Sequence, residues 1–140
     1  MLLVEDNPND LELSLHALNR GRIADRIDVA RDGAEALEYL FCTGEFAGRD
    51  PQDQPKVVLL DVKMPRVDGI GVLRRIRADG RTRHLPVVMM TSSAEDADLA
   101  TCYELGANSY IVKPVDIEQF FASVEQVGLY WLVLNQPQPG

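Results

Sequence analysis

The chain has 140 residues, 46% of them hydrophobic and 26% charged, which suits one domain with a single sizeable core and leaves too little for two. A formal net charge of −8 argues against a phosphate-neutralising surface, so direct nucleic-acid contact is not expected. No basic-then-apolar leader opens the chain and no run approaches the ~18 apolar residues of a membrane span, so a cytoplasmic location without membrane attachment is expected.

Met1 to Val4 is a short apolar run broken by Glu5-Asp6-Asn7-Pro8, which reads as a first strand ending in two acids. Adjacent carboxylates repel unless positive charge sits between them, and a hard divalent cation would supply it; a solvated turn explains the pair equally well. Asn7-Pro8 forms a good N-cap and first helical position, and Leu11, Leu15 and Leu18 follow at helical spacing. This predicts a first helix to about Asn19, left at Gly21. Residues 26–30 alternate and suggest a short second strand. Asp32 then caps a helix with Ala36, Leu37, Leu40 and Phe41 on one stripe.

From Cys42 to Lys56 the chain turns polar, with Gly44, Gly48, Pro51 and Pro55, and is long for a helix-to-strand connection of about 2 to 6 residues. Residues 57–60, Val-Val-Leu-Leu, then form a continuous apolar run without period-two alternation, the mark of a strand buried on both faces of a parallel sheet. Asp61 stands where that strand ends, in the crevice where open α/β sheets bind ligands, although an Asp is also common as a simple turn residue. A turn-rich loop to Asp68-Gly69 leads to a third helix carrying Ile70, Val72, Leu73 and Ile76, ended by Asp79-Gly80.

Pro86 to Met90 is a second apolar run, and it delivers Thr91 to the same sheet edge. Ser93 with Asp96 resembles a capping box for a fourth helix. Its small residues Ala97, Ala100 and Cys102, with Leu105, predict loose packing. Residues 109–112, Ser-Tyr-Ile-Val, form the last strand and deliver Lys113-Pro114, an X-Pro bond that adopts cis at modest cost and so aims the lysine over the crevice. Asp116 with Gln119 caps a final helix bearing Ile117, Phe120, Val124, Val127 and Trp131. Cys42 and Cys102 lie outside any C-x-x-C spacing, and His16 and His84 have no ligand-spaced partners, so neither pair signals a metal or redox site.

The alternation of strands and helices predicts an α/β fold built on a five-stranded parallel sheet. Singly, Thr91 reads as a strand-end hydroxyl, Lys113 as a solvated charge and Tyr110 as a core aromatic. Jointly, Glu5, Asp6, Asp61, Thr91 and Lys113 project from one edge of such a sheet, and acids, hydroxyl and amine converge.

With Val-Glu-Asp at 4–6, Leu-Leu-Asp-Val-Lys-Met-Pro-Arg-Val-Asp-Gly at 59–69, Met-Thr-Ser-Ser at 90–93 and Tyr-Ile-Val-Lys-Pro-Val-Asp at 110–116, the chain resembles the receiver domain of bacterial two-component response regulators. The resemblance covers nearly the whole chain and implies a doubly wound, flavodoxin-like sheet of strand order 2-1-3-4-5, with Asp61 accepting a phosphoryl group from a phosphohistidine on a sensor histidine kinase. It also implies Mg²⁺ bound by Asp6, Asp61 and the backbone carbonyl of Lys63, with Glu5 acting through water, and Lys113 pairing with a phosphoryl oxygen. Thr91 and Tyr110 would be the switch pair, and Lys63 and Ser93 would tune the phosphoryl lifetime. No separate enzymatic activity is implied beyond Mg²⁺-dependent self-phosphorylation from small phosphodonors and autodephosphorylation.

Residues 1–127 are expected to form the receiver, and 128–140 an apolar arm with a frayed tail and no output domain. Leu129, Tyr130, Trp131, Leu132, Val133 and Leu134 are apolar on every side and should meet a partner. With the long loop after the second helix, the tail resembles the small single-domain regulators that accompany bacterial phytochromes. That likeness implies a homodimer through the arm, a bacteriophytochrome kinase upstream and a protein target downstream. The alternative is an unphosphorylated receiver-like scaffold or dimerisation module. A haloacid-dehalogenase phosphatase would need Asp where Lys63 stands, a P-loop switch would need a glycine-rich loop ending in Lys-Ser or Lys-Thr, and a flavodoxin-like cofactor binder would leave Lys113 unexplained.

Overall fold

Short apolar runs separated by amphipathic segments call for helices on both faces of a parallel sheet, and the computed structural model has that form over the residues it describes, 1–20, 26–64, 66–92 and 96–126. In chain order these are β1 (Leu2–Val4), α1 (Pro8–Arg20), β2 (Asp28–Ala30), α2 (Gly33–Phe41), a 3₁₀ turn (Gly44–Phe46), β3 (Val58–Asp61), α3 (Gly69–Ala78), β4 (Val87–Thr91), α4 (Asp96–Glu104), β5 (Ser109–Val112) and α5 (Ile117–Gln126). All strand pairs are parallel, in the order β2-β1-β3-β4-β5. Leu2, Leu3, Val4 and residues 57–60 are fully buried, as expected for the two central strands.

Alternate residues of those strands serve two cores. Leu2, Val4, Val58, Leu60 and Met89 pack with Ala36, Leu40, Val72, Leu73 and Ile76 on the side of α2 and α3. Leu3, Leu59, Val88, Met90 and Ile111 pack with Leu11, Leu18 and Phe120 on the side of α1 and α5. Full burial of a side chain such as Phe120 contributes about 1.5–3 kcal/mol.

The capping residues act as their sequence implied. Asn7 Oδ1 accepts from the backbone N–H groups of Asn9 and Asp10, Asp32 accepts from Glu35, and Asp116 from Gln119; Asp68, expected only as part of a turn, caps α3 as well by accepting from Gly71. The second helix departs from its expected stripe: Tyr39 joins Ala36 and Leu40 in the core, while Leu37 and Phe41 are only half-buried. Ser93, Gly21, Val127 and the expected arm lie outside the described residues.

The long connection after α2 is folded down rather than loose. Arg49 lies over the Tyr39 ring at 3.7 Å and donates to the carbonyls of Tyr39 and Asp53, while Gln54 Nε2 donates to Leu40 O at 2.8 Å. Phe46 meets Tyr39 edge-on at 5.3 Å, and the Tyr39 hydroxyl donates to Asp28 Oδ2 at 2.5 Å.

Gly69 opens α3 against the end of β3, where a Cβ would stand 2.0 Å from the Asp61 carbonyl oxygen. Gly69→Ala must displace backbone at the end of the central strand and should cost about 3 kcal/mol or more, read as a lower urea midpoint. An unchanged midpoint would show that the helix start yields freely.

Candidate functional site

Every strand except β2 delivers a polar residue to one edge of the sheet. β1 ends before Glu5, β3 ends at Asp61, β4 ends at Thr91, and β5 ends before Lys113. Glu5 is fully buried and Asp61 is 4% exposed, whereas Asp6 is exposed. Carboxylate oxygens of Glu5, Asp6 and Asp61 lie within 4.8 Å of one another.

One ammonium holds this cluster together. Lys113 Nζ is 3.0 Å from Asp61 Oδ2, 2.8 Å from Glu5 Oε1 and 3.2 Å from Asp10 Oδ2. The first and last are hydrogen bonds. Glu5 meets the ammonium as an ion pair, and its buried Oε1 has no hydrogen-bond partner among the described residues. The Lys113–Pro114 peptide is cis, as its sequence allowed. Lys113 N–H donates to Thr91 O at 2.7 Å, which ties the end of β5 to the end of β4.

Burial first, and then Glu5 beside it, push the Asp61 carboxyl up to about 7 against the opposing pull of Lys113. Burial alone would lower the pKa of Lys113; its contacts with Glu5 and Asp61 outweigh that and raise it. Buried acids crowded together, with one lone pair left unmatched, form an oxygen-donor set that suits a hard divalent cation. Glu5, Asp6 and Asp61 therefore fit a metal ion chemically.

The loop after Asp61 is held from two sides. Arg66, at φ +65°, donates to both Asp32 oxygens at 2.8 and 2.7 Å, so the α2 cap anchors it. A Cβ on Gly33 would stand 1.8 Å from Val67 O, so only glycine admits the loop so close to α2. Lys63 N–H lies 3.4 Å from Asp61 Oδ1, and its side chain is exposed. Tyr110 on β5 is half-buried and meets Tyr103 of α4 edge-on at 5.9 Å.

Of the residues singled out from sequence, Glu5, Asp6, Asp61 and Lys113 converge, and Thr91 sits beside them, 5% exposed. Ser93 and the arm residues Leu129 to Leu134 lie outside the described residues. Sequence reasoning missed Asp10 and Arg66. For Asp10 a signal existed: a first-turn acid on a helix that starts at the sheet edge bearing Glu5 and Asp6.

The family model of the response regulator receiver domain matches residues 1–125. A probable methanogenesis regulatory protein, FilR2 of Methanothrix harundinacea, is 41% identical over 140 residues, covering 100% of this chain and 87% of that protein. The solved bacteriophytochrome response regulator AtBRR is 52% identical, with a TM-score of 0.86 and 96% of each chain covered. The Mn²⁺-bound form of response regulator Rcp1 is 31% identical, with a TM-score of 0.76 over 99% of this chain and 97% of that one.

An acid whose pKa is higher folded than unfolded favours the fold only while protonated. Asp61 starts from 3.8, so the metal-free protein should lose stability as pH rises from about 4 to about 7. In a metal chelator, Asp61→Asn should raise Tm by about 5–10 °C at pH 8, with the gain shrinking towards pH 5. A gain independent of pH, or none, would mean that the carboxyl is not strained by its surroundings.

Proposed function

The chain belongs to the response regulator receiver domain family, and on that premise we propose that Asp61 is its phosphoacceptor and Lys113 the cation that receives the phosphoryl group. Members of this family take a phosphoryl group on an aspartate from a histidine kinase and bind a divalent metal. The observation that carries the assignment is the 3.0 Å contact between a buried Asp61 and Lys113, beside the only group of acids among the described residues placed to hold a metal ion.

Glu5, Asp6, Asp61 and the backbone carbonyl of Lys63 would hold Mg²⁺, which supplies positive charge to the carboxylates and to the transferring phosphoryl oxygens. Asp61 attacks phosphorus through a carboxylate oxygen, forming an acyl phosphate as the bond to the donor's nitrogen breaks. Since its surroundings favour the neutral carboxyl, added positive charge is what makes it a nucleophile near neutral pH. Lys113 keeps its proton throughout and turns to the new oxygens. The same chemistry supports self-phosphorylation from small phosphodonors and autodephosphorylation, with Lys63 and Ser93 as the residues that tune the lifetime of the phosphoryl group.

The switch is proposed to run through Thr91, whose hydroxyl would bond the phosphoryl, and Tyr110, which would turn inward beside it. Support comes from Thr91 at the strand end next to Lys113 and from Tyr110 against Tyr103, at the edge of a helix with little apolar surface to fix it. The likeness to AtBRR, a bacteriophytochrome response regulator, supports a bacteriophytochrome kinase as the donor. The apolar run Leu129, Tyr130, Trp131, Leu132, Val133, Leu134 supports a homodimer, with the switched surface left to a downstream protein. A cytoplasmic location belongs to the same reading: no described helix is long and apolar enough to cross a membrane, and Cys42 and Cys102 are not joined in a disulfide.

Incubation with Mg²⁺ and acetyl phosphate should add one phosphoryl group to the intact mass of the wild type and none to Asp61→Asn. A folded wild type that stays unmodified by both acetyl phosphate and a phosphorylated kinase would leave a receiver-shaped scaffold instead. Removal of Gly128 onward should weaken self-association in sedimentation while leaving phosphoryl uptake intact. An equally dimeric truncated chain would show that the arm is not the contact.

A further inference from the structure

Asp10 is the third residue of α1, after the cap Asn7, and an acid there has an ordinary local explanation: it faces the positive end of the helix. In the common capping box an acid at this position reaches back to the backbone N–H of the cap. Here that N–H is already taken, because Asn7 N–H donates to Glu5 Oε2 at 3.3 Å. Asp10 instead reaches a residue 103 positions away and accepts a hydrogen bond from Lys113 Nζ at 3.2 Å.

The three acids on Lys113 differ in what else can use them. Glu5 and Asp61 belong to the cluster that fits a divalent cation, and Asp10 does not. When Glu5 and Asp61 turn to a bound cation, Asp10 is the carboxylate still able to hold the ammonium. It is 37% exposed on its side chain against 11% for Lys113, so it stands at the mouth of the site and the lysine within it.

Resting on the phosphoacceptor reading of Asp61, we propose that Asp10 is a positioning residue that competes with the phosphoryl group for Lys113 and so sets how readily the phosphorylated state forms. A phosphoryl on Asp61 must draw the ammonium away from Asp10, and the Asp10 carboxylate repels the arriving phosphoryl oxygens. Both effects oppose occupancy of the site, and neither involves a bond to the metal or to phosphorus.

Beryllofluoride, a non-hydrolysable phosphoryl mimic, tests this in the full chain. With saturating Mg²⁺, Asp10→Asn should bind beryllofluoride about five-fold more tightly than wild type by ¹⁹F NMR, the size expected for losing one partly exposed charge pair. Asp10→Glu should restore the wild-type affinity, and thermal melts should show all three chains folded. A purely helix-capping Asp10 would shift the melts and leave the beryllofluoride affinity alone. Equal affinity in Asp10→Asn and wild type, or weaker binding in a folded Asp10→Asn, overturns the competition. A folded wild type that binds no beryllofluoride in Mg²⁺ overturns the phosphoacceptor reading itself, and the role of Asp10 with it.

Discussion

The structure turns on the Lys113 ammonium and the acids it bridges. Glu5 and Asp61 are buried at the ends of adjacent strands, where ionised carboxylates lose hydration and repel one another. With Asp6 and Asp10 they make four carboxylates against one ammonium, so the site is short of positive charge by design. Burial first, and then Glu5 beside it, raise the pKa of Asp61. A chain that needed only stability would replace such a pair with apolar side chains.

Sheet order decides which residue can supply that ammonium. Strands lie about 4.8 Å apart, so β5 stands roughly 10 Å from β3 with β4 between them. A side chain from the end of β5 must pass over the end of β4 to reach Asp61. Lysine is long enough to do so, and the residue it passes, Thr91, is small. The backbone bond from Lys113 N–H to Thr91 O fixes the starting point of that reach. Lys113, the β4–β5 junction and the Tyr110–Tyr103 ring contact thus lie in succession from Asp61 toward α4.

The strand-end residues were legible because continuous apolar runs announce buried parallel strands, and the residue after each run must lie at the sheet edge. Glu5, Asp61, Thr91 and Lys113 all follow from that rule, and so do the caps at Asn7, Asp32 and Asp116, whose partners lie within a few residues. Asp10 did not follow, since a first-turn acid has a complete local explanation and its partner is 103 residues distant. The connection after α2 was opaque for the same reason: its order depends on Arg49 and Gln54 meeting the backbone of a helix already behind them. Tyr39, outside the expected stripe of α2, is buried, with its hydroxyl donating to Asp28 on β2.

The acids cannot relieve their repulsion by moving apart, and that is why charge must be met with charge. They are mounted on β1 and β3, whose residues are fully buried between two cores and paired in register on both sides. Packed interiors resist small displacements. Gly69, where a Cβ would stand 2.0 Å from the Asp61 carbonyl oxygen, and the Arg66–Asp32 pair holding the loop beyond remove the remaining freedom at the strand end. A softer frame would let Glu5 and Asp61 separate and hydrate, and their surroundings would then no longer distinguish a site with added cation and phosphoryl from one without. Rigidity in the two central strands is what converts a local charge imbalance into a difference that Lys113, and the surface beyond it, must answer.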